Sequence, residues 1–105
     1  MTDQARVDFA GIPWTETAAG ARAKIVQREG SRLRLVEFTP EFQEAEWCTR
    51  AHRGFVLDGA LELIFADRTE VLHAGDGIFI EHGEGGRHKA VVRSGVARLL
   101  LVDEA

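Results

Sequence analysis

From Lys24 onward the apolar residues recur at alternating spacing in short runs, and this pattern predicts strands over 24–27, 32–39, 54–57, 61–66, 71–73, 77–81, 88–93 and 96–102. Turn signals separate them. Asp58-Gly59 lies between Phe55-Val56-Leu57 and Leu61-Glu62-Leu63-Ile64-Phe65 and predicts a β-hairpin, since its turn positions need positive φ and Asp-Gly tolerates it. Arg28-Glu29-Gly30-Ser31, Asp67-Arg68, Gly75-Asp76-Gly77 and Ser94-Gly95 supply further turns. A helical reading fails from Ile25 onward because eleven glycines interrupt most windows long enough for a stable helix. The expectation is an all-β chain. Only residues 8–19 lack a clear period, and Phe9-Ala10-Gly11-Ile12-Pro13-Trp14 reads as an irregular arm or an edge strand.

Composition narrows this to one folded unit. The chain has 105 residues, 45% hydrophobic and 29% charged, with no repeat or low-complexity break. That is enough for a single core without a disulfide or metal staple. The division expected is an N-terminal arm over 1–20 and a small antiparallel barrel over 21–105. The net charge is −4 and the Lys and Arg residues are scattered, which argues against nucleic acid as a partner. The apolar run from Val96 to Val102 is interrupted by Arg98 and is too short to span a bilayer. Met1-Thr2-Asp3-Gln4 lacks the basic and apolar regions of a signal peptide, so no membrane partner and a cytoplasmic setting are expected. Cys48 is the lone cysteine and cannot form an internal disulfide, leaving a buried thiol or a chemical role.

Two stretches together resemble motifs of the cupin superfamily, over roughly residues 46 to 92. Gly54-Phe55-Val56-Leu57-Asp58-Gly59 is similar to the phrase that closes the family's first motif, with Gly59 as its last glycine. Gly75-Asp76-Gly77-Ile78-Phe79-Ile80-Glu81-His82-Gly83 resembles the second motif, with Glu81 where the family has proline. The resemblance implies a small jelly-roll barrel whose interior holds a metal ion or a small ligand. It places His52 at the family's glutamate position, Cys48 and Glu46 at its two histidines, and Gly86 at the histidine of the second motif. His88 follows two residues later, on the same face of a strand. Alternation puts Arg87 and Lys89 on the opposite face, which supports an inward His88.

The set Glu46, Cys48, His52 and His88 offers an oxygen, a sulfur and two nitrogens, which suits zinc or iron. Strict alternation from Cys48 to His52 also turns Arg50 inward, and paired with Glu46 it makes an anion-binding pocket instead. A metal-free ligand or sensor module is a further reading, with Trp47, Phe55, Phe65 and Phe79 lining the mouth and His52 and Arg50 as polar contacts. The partners expected are a small oxygenated molecule and a second copy in a homodimer, joined by the arm around Trp14 or an edge strand. His73 and His82 read as surface residues. The glycine loop Gly83 to Gly86 lacks the lysine and following helix of a phosphate loop, and no hydrolase motif appears.

Overall fold

The computed structural model describes residues 5–104. Met1-Thr2-Asp3-Gln4, on which the expectation about a leader rests, lie outside the described residues. A short 3₁₀ turn, Phe9–Gly11, precedes β1 (Thr15–Ala18), β2 (Ala21–Arg28), β3 (Ser31–Phe38), β4 (His52–Asp58), β5 (Ala60–Phe65), β6 (Thr69–His73) and β7 (Gly77–Ile80). A second 3₁₀ turn, Glu84–Gly86, leads to β8 (His88–Val91) and β9 (Ala97–Glu104). The ambiguous N-terminal segment therefore includes an edge strand, β1, paired with β2. None of the described helices is long and apolar enough to cross a membrane.

The strands form two antiparallel sheets, one ordered β1-β2-β3-β9-β4-β7 and the other β6-β5-β8. This corrects the closed barrel expected from the sequence. The sheets face each other as a sandwich consistent with a jelly roll, and among the described residues no ladder joins their edges into a ring. An isolated bridge between Cys48 and His88 extends the small sheet beyond β8.

The hairpin expected at Asp58-Gly59 is also corrected. β4 pairs with β9 and β7, β5 pairs with β6 and β8, and the chain crosses from one sheet to the other at Gly59. Gly59 has φ +76°, and a Cβ there would sit 2.2 Å from the Val96 carbonyl oxygen, so the crossing requires glycine. The dipeptide signals a positive-φ corner, and the partner of the departing strand is a tertiary choice. Glu29-Gly30, with φ 49° and 80°, does close the true hairpin between β2 and β3.

Period-two alternation fixes the faces. In β9 the residues Ala97, Leu99, Leu101 and Asp103 are buried while Arg98, Val102 and Glu104 are exposed. Val36, Val56, Leu61, Leu63, Ile78 and Ile80 meet them from the other strands. Each such aliphatic contributes about 1.5–3 kcal/mol by leaving water. On the outer face of the large sheet, Glu37 of β3 is clamped by Arg22 from β2 and Arg98 from β9. Beside them Trp14 of the arm packs under the Arg22 guanidinium at 4.2 Å and the Lys24 ammonium at 4.9 Å.

Residues 39–51 connect β3 to β4 across the gap between the sheets. They are pinned at one end by the stacked rings of Phe38 and Phe42, 4.5 Å apart. At the other end, reciprocal backbone hydrogen bonds join Cys48 and His88 at 2.9 and 3.0 Å.

Candidate metal centre

The segment 39–51, the start of β4 and the start of β8 bring Cys48, His52 and His88 together, with one donor atom of each lying within 4.8 Å of the others. His52 stands first in β4 on the face shared with Gly54 and Val56, so the alternation that buries Val56 also turns the imidazole inward. His88, 3% exposed, opens β8 on the face of Ala90. Cys48 is held opposite His88 by the backbone bridge.

Hydrogen bonding sets both imidazole tautomers. His52 Nδ1 lies 3.2 Å from Asp103 Oδ1, and His88 Nδ1 lies 3.0 Å from the Gly86 carbonyl oxygen. A carboxylate and a carbonyl only accept, so each Nδ1 carries the proton and each Nε2 keeps its lone pair. His52 Nε2 is 3.7 Å from Cys48 Sγ, within reach of a thiol hydrogen bond. The imidazole planes meet nearly edge to face, with centroids 5.3 Å apart. Two lone-pair nitrogens and a thiol converging in this way form a donor set that fits zinc or iron. The carboxylate behind His52 is the usual second layer of such sites.

Electrostatics favour the neutral imidazole. Burial, the largest influence, pushes His52 below its ordinary 6.5, and His88 and Arg34 push the same way against the opposing pull of Asp103. Burial pushes Asp103 upward, but the hydrogen bonds and charges of Arg34 and His52 outweigh it and hold the carboxyl below its ordinary 3.8. Arg34 reaches Asp103 Oδ2 through Nε at 2.5 Å. The chain of contacts thus runs Arg34, Asp103, His52, Cys48.

The centre opens into a cavity of about 310 Å³ whose wall includes Arg34, Arg50, Glu44 and a long apolar stretch. The structure does not bring Glu46 to the centre. That residue is exposed on the segment 39–51, and among the described residues no ion pair joins it to Arg50. Glu44, two residues earlier, lines the cavity instead and accepts a hydrogen bond from the Ala90 N–H at 2.9 Å.

The expected aromatic mouth is not assembled. Trp47 is exposed with Arg87 and Lys89 over its ring. Phe55 is exposed because it alternates with the inward Gly54 and Val56. Phe79, 72% exposed, lies between the inward Ile78 and Ile80 and stacks on Arg53. Phe65 alone of the four points into the core, its ring centroid 6.1 Å from His88.

Gly86, at the position the resemblance reserves for histidine, has no room for a side chain. A Cβ there would fall 2.4 Å from the Glu81 carbonyl oxygen. The residue contributes its own carbonyl, and His88 supplies the imidazole. Asp103 and Arg34 were missed in the sequence, although an acidic residue in phase with Ala97, Leu99 and Leu101 marks Asp103 as inward.

No protein-family model matches the chain, and no curated protein matches it in sequence. Solved structures do match. The polyketide cyclase RemF from Streptomyces resistomycificus superposes with a TM-score of 0.78 at 23% identity, over 97% of this chain and 80% of that one. A sugar phosphate isomerase from a cupin superfamily, from Silicibacter pomeroyi, gives 0.77 at 17% identity over 95% and 75%. A cupin-2 domain containing protein from Shewanella frigidimarina gives 0.68 at 18% identity over 87% and 83%. The fold is that of a small cupin.

Proposed function

We infer that this cupin binds one divalent metal ion through Cys48 Sγ, His52 Nε2 and His88 Nε2, and receives a small oxygenated molecule in the adjoining cavity. The observation that carries the reading is the convergence of the three donors within 4.8 Å, with both imidazoles oriented by partners at Nδ1. Zinc or iron suits the set, and such an ion supplies Lewis acidity to an oxygen of the bound molecule. The chain's own residues do the rest. Asp103 and Gly86 fix the imidazoles, Arg34 fixes Asp103, and the apolar wall excludes water.

Elemental analysis of tag-free protein tests this, with near one metal per chain expected in the parent and a loss in Cys48→Ala and His52→Ala. A metal-free parent after supplementation leaves the second reading, a ligand or sensor pocket. The 3.7 Å approach of Cys48 Sγ to His52 Nε2 favours that reading, since thiol and imidazole then satisfy each other. A homodimer belongs to the same proposal. Phe55, Phe79 and Val102 are exposed near one another on the outer face of β4, β7 and β9, an apolar surface suited to a second copy. Solution mass at several concentrations reads it.

A further inference from the structure

The cavity has two unlike ends. Arg34 near the start of β3, Arg50 just before β4 and His52 at its first residue lie at the end of the large sheet where β9 finishes. Phe38 and Ala21 are cross-strand partners at the opposite end, and Phe42 stacks on Phe38. All of these line one cavity. Polar chemistry is therefore gathered at one end and apolar surface at the other.

The charges on the wall are two guanidinium groups and one carboxylate, Arg34, Arg50 and Glu44, with Asp103 paired to Arg34 from behind. Glu44 is occupied by the Ala90 N–H. Arg34 uses Nε for Asp103, and its two Nη groups have no partner among the described residues. Arg50 has no hydrogen-bond or ion-pair partner among the described residues. Guanidinium N–H groups left open beside a cavity, the Nη groups of Arg34 and those of Arg50, match the two oxygens of a carboxylate.

Apart from Cys48, His52 and His88 of the metal centre, the remaining wall is alanine, valine, leucine, isoleucine and phenylalanine, with Thr17 as its one hydroxyl. A polyhydroxylated sugar would leave its hydroxyls unpaired against that surface. The volume of about 310 Å³ falls at the small end of ligand cavities, which run from about 300 to 1,000 Å³.

We propose that the cavity takes a small organic monoanion, a carboxylate on a short apolar body, with the carboxylate at Arg34 and Arg50 and the body toward Ala21, Phe38 and Phe42. The proposal rests on the reading of this cavity as the substrate site and names the substrate class. Arg34 positions Asp103 as well, so Arg50, exposed and otherwise unpartnered, is the residue to vary.

Calorimetric titration of hexanoate and of 1-hexanol into the full chain, both chelator-treated and zinc-loaded, separates head group from body. The expected result is one hexanoate per chain, bound at least about tenfold more tightly than hexanol, as suits hydrogen bonds to a charged group. Arg50→Gln should remove most of that preference and Arg50→Lys retain part of it. Equal affinity for the two probes, no binding of either, or a preference that survives Arg50→Gln overturns the proposal. Zinc stoichiometry on the same samples reads the metal centre separately. Zinc bound without a hexanoate preference defeats the monoanion proposal alone, whereas a hexanoate preference without zinc defeats the metal reading alone.

Discussion

Glu37 and Asp103 are both buried carboxylates on the large sheet, yet they lie on opposite faces of it and keep different company. Glu37, on the outer face of β3, accepts from two guanidinium groups, Arg22 and Arg98, each about half exposed. Asp103, on the inner face of β9, accepts from one guanidinium, a largely buried Arg34, and one imidazole, His52. The first is a clamp across three strands, in an outer-face pocket beside Trp14 that holds none of the candidate ligands. The second divides its two oxygens between holding the fold and holding a candidate ligand. One chemical device, a desolvated carboxylate with two donors, becomes structural or functional according to which face of the sheet it occupies.

The strongest way to break this comparison is to neutralise each carboxylate in turn. Asp103→Asn strands Arg34 in a largely buried position and should cost about 3 kcal/mol in urea unfolding, the lower end for breaking a buried pair. It should also weaken zinc binding about 10- to 100-fold in a chelator competition, because His52 loses its orienting partner. Glu37→Gln should cost about 1–2 kcal/mol, since solvent screens its half-exposed partners, and zinc affinity should not move. A zinc loss of equal size in both variants would erase the distinction.

Acid sharpens it further. Burial pushes Glu37 upward, but the hydrogen bonds and charges of Arg98 and Arg22 outweigh burial and hold the carboxyl below its ordinary 4.5. Asp103 is likewise held below 3.8 and His52 below 6.5. In each case the unfolded chain binds more protons between the depressed and ordinary values, so stability is full above the ordinary value and falls as pH drops toward the depressed one. Urea midpoints should therefore begin to fall below pH 6.5 through His52 and fall more steeply below 4.5 through the carboxylates. Glu37→Gln should reduce the steeper part and keep the onset near 6.5. An onset that moved with Glu37 would assign it to the wrong face.

The smallest effects belong to the outward aromatics. Trp47→Ala should change stability by no more than about 0.5 kcal/mol, and neither it nor Phe79→Ala, on the surface proposed for a second copy, should change hexanoate affinity. A clear loss of affinity would return those rings to the mouth of the cavity.

The alternation of β9 and β4 was enough to turn Leu99, Leu101 and His52 inward, because side-chain direction along a strand is a local property of the backbone. The expected mouth of Phe55 and Phe79 ran against that rule, since both alternate with the inward Gly54 and Ile80, and Asp103 lay just beyond the strand expected over 96–102. The resemblance to cupins likewise needed only the glycines and apolar phrases of 54–59 and 75–83. Tertiary structure alone decided that Asp58-Gly59 is a crossing between sheets and that the two sheets stay open. It also decided that Glu44 rather than Glu46 faces the cavity. These choices depend on which strands meet across long stretches of chain and on how the segment 39–51, which has no period to read, is pinned between Phe38 and His88. The site followed the same division. His52 and His88 were legible one by one from their strands, while their meeting with Cys48, and the Arg34–Asp103 pair behind them, required the sheets to bring residues from four separate parts of the chain to one place.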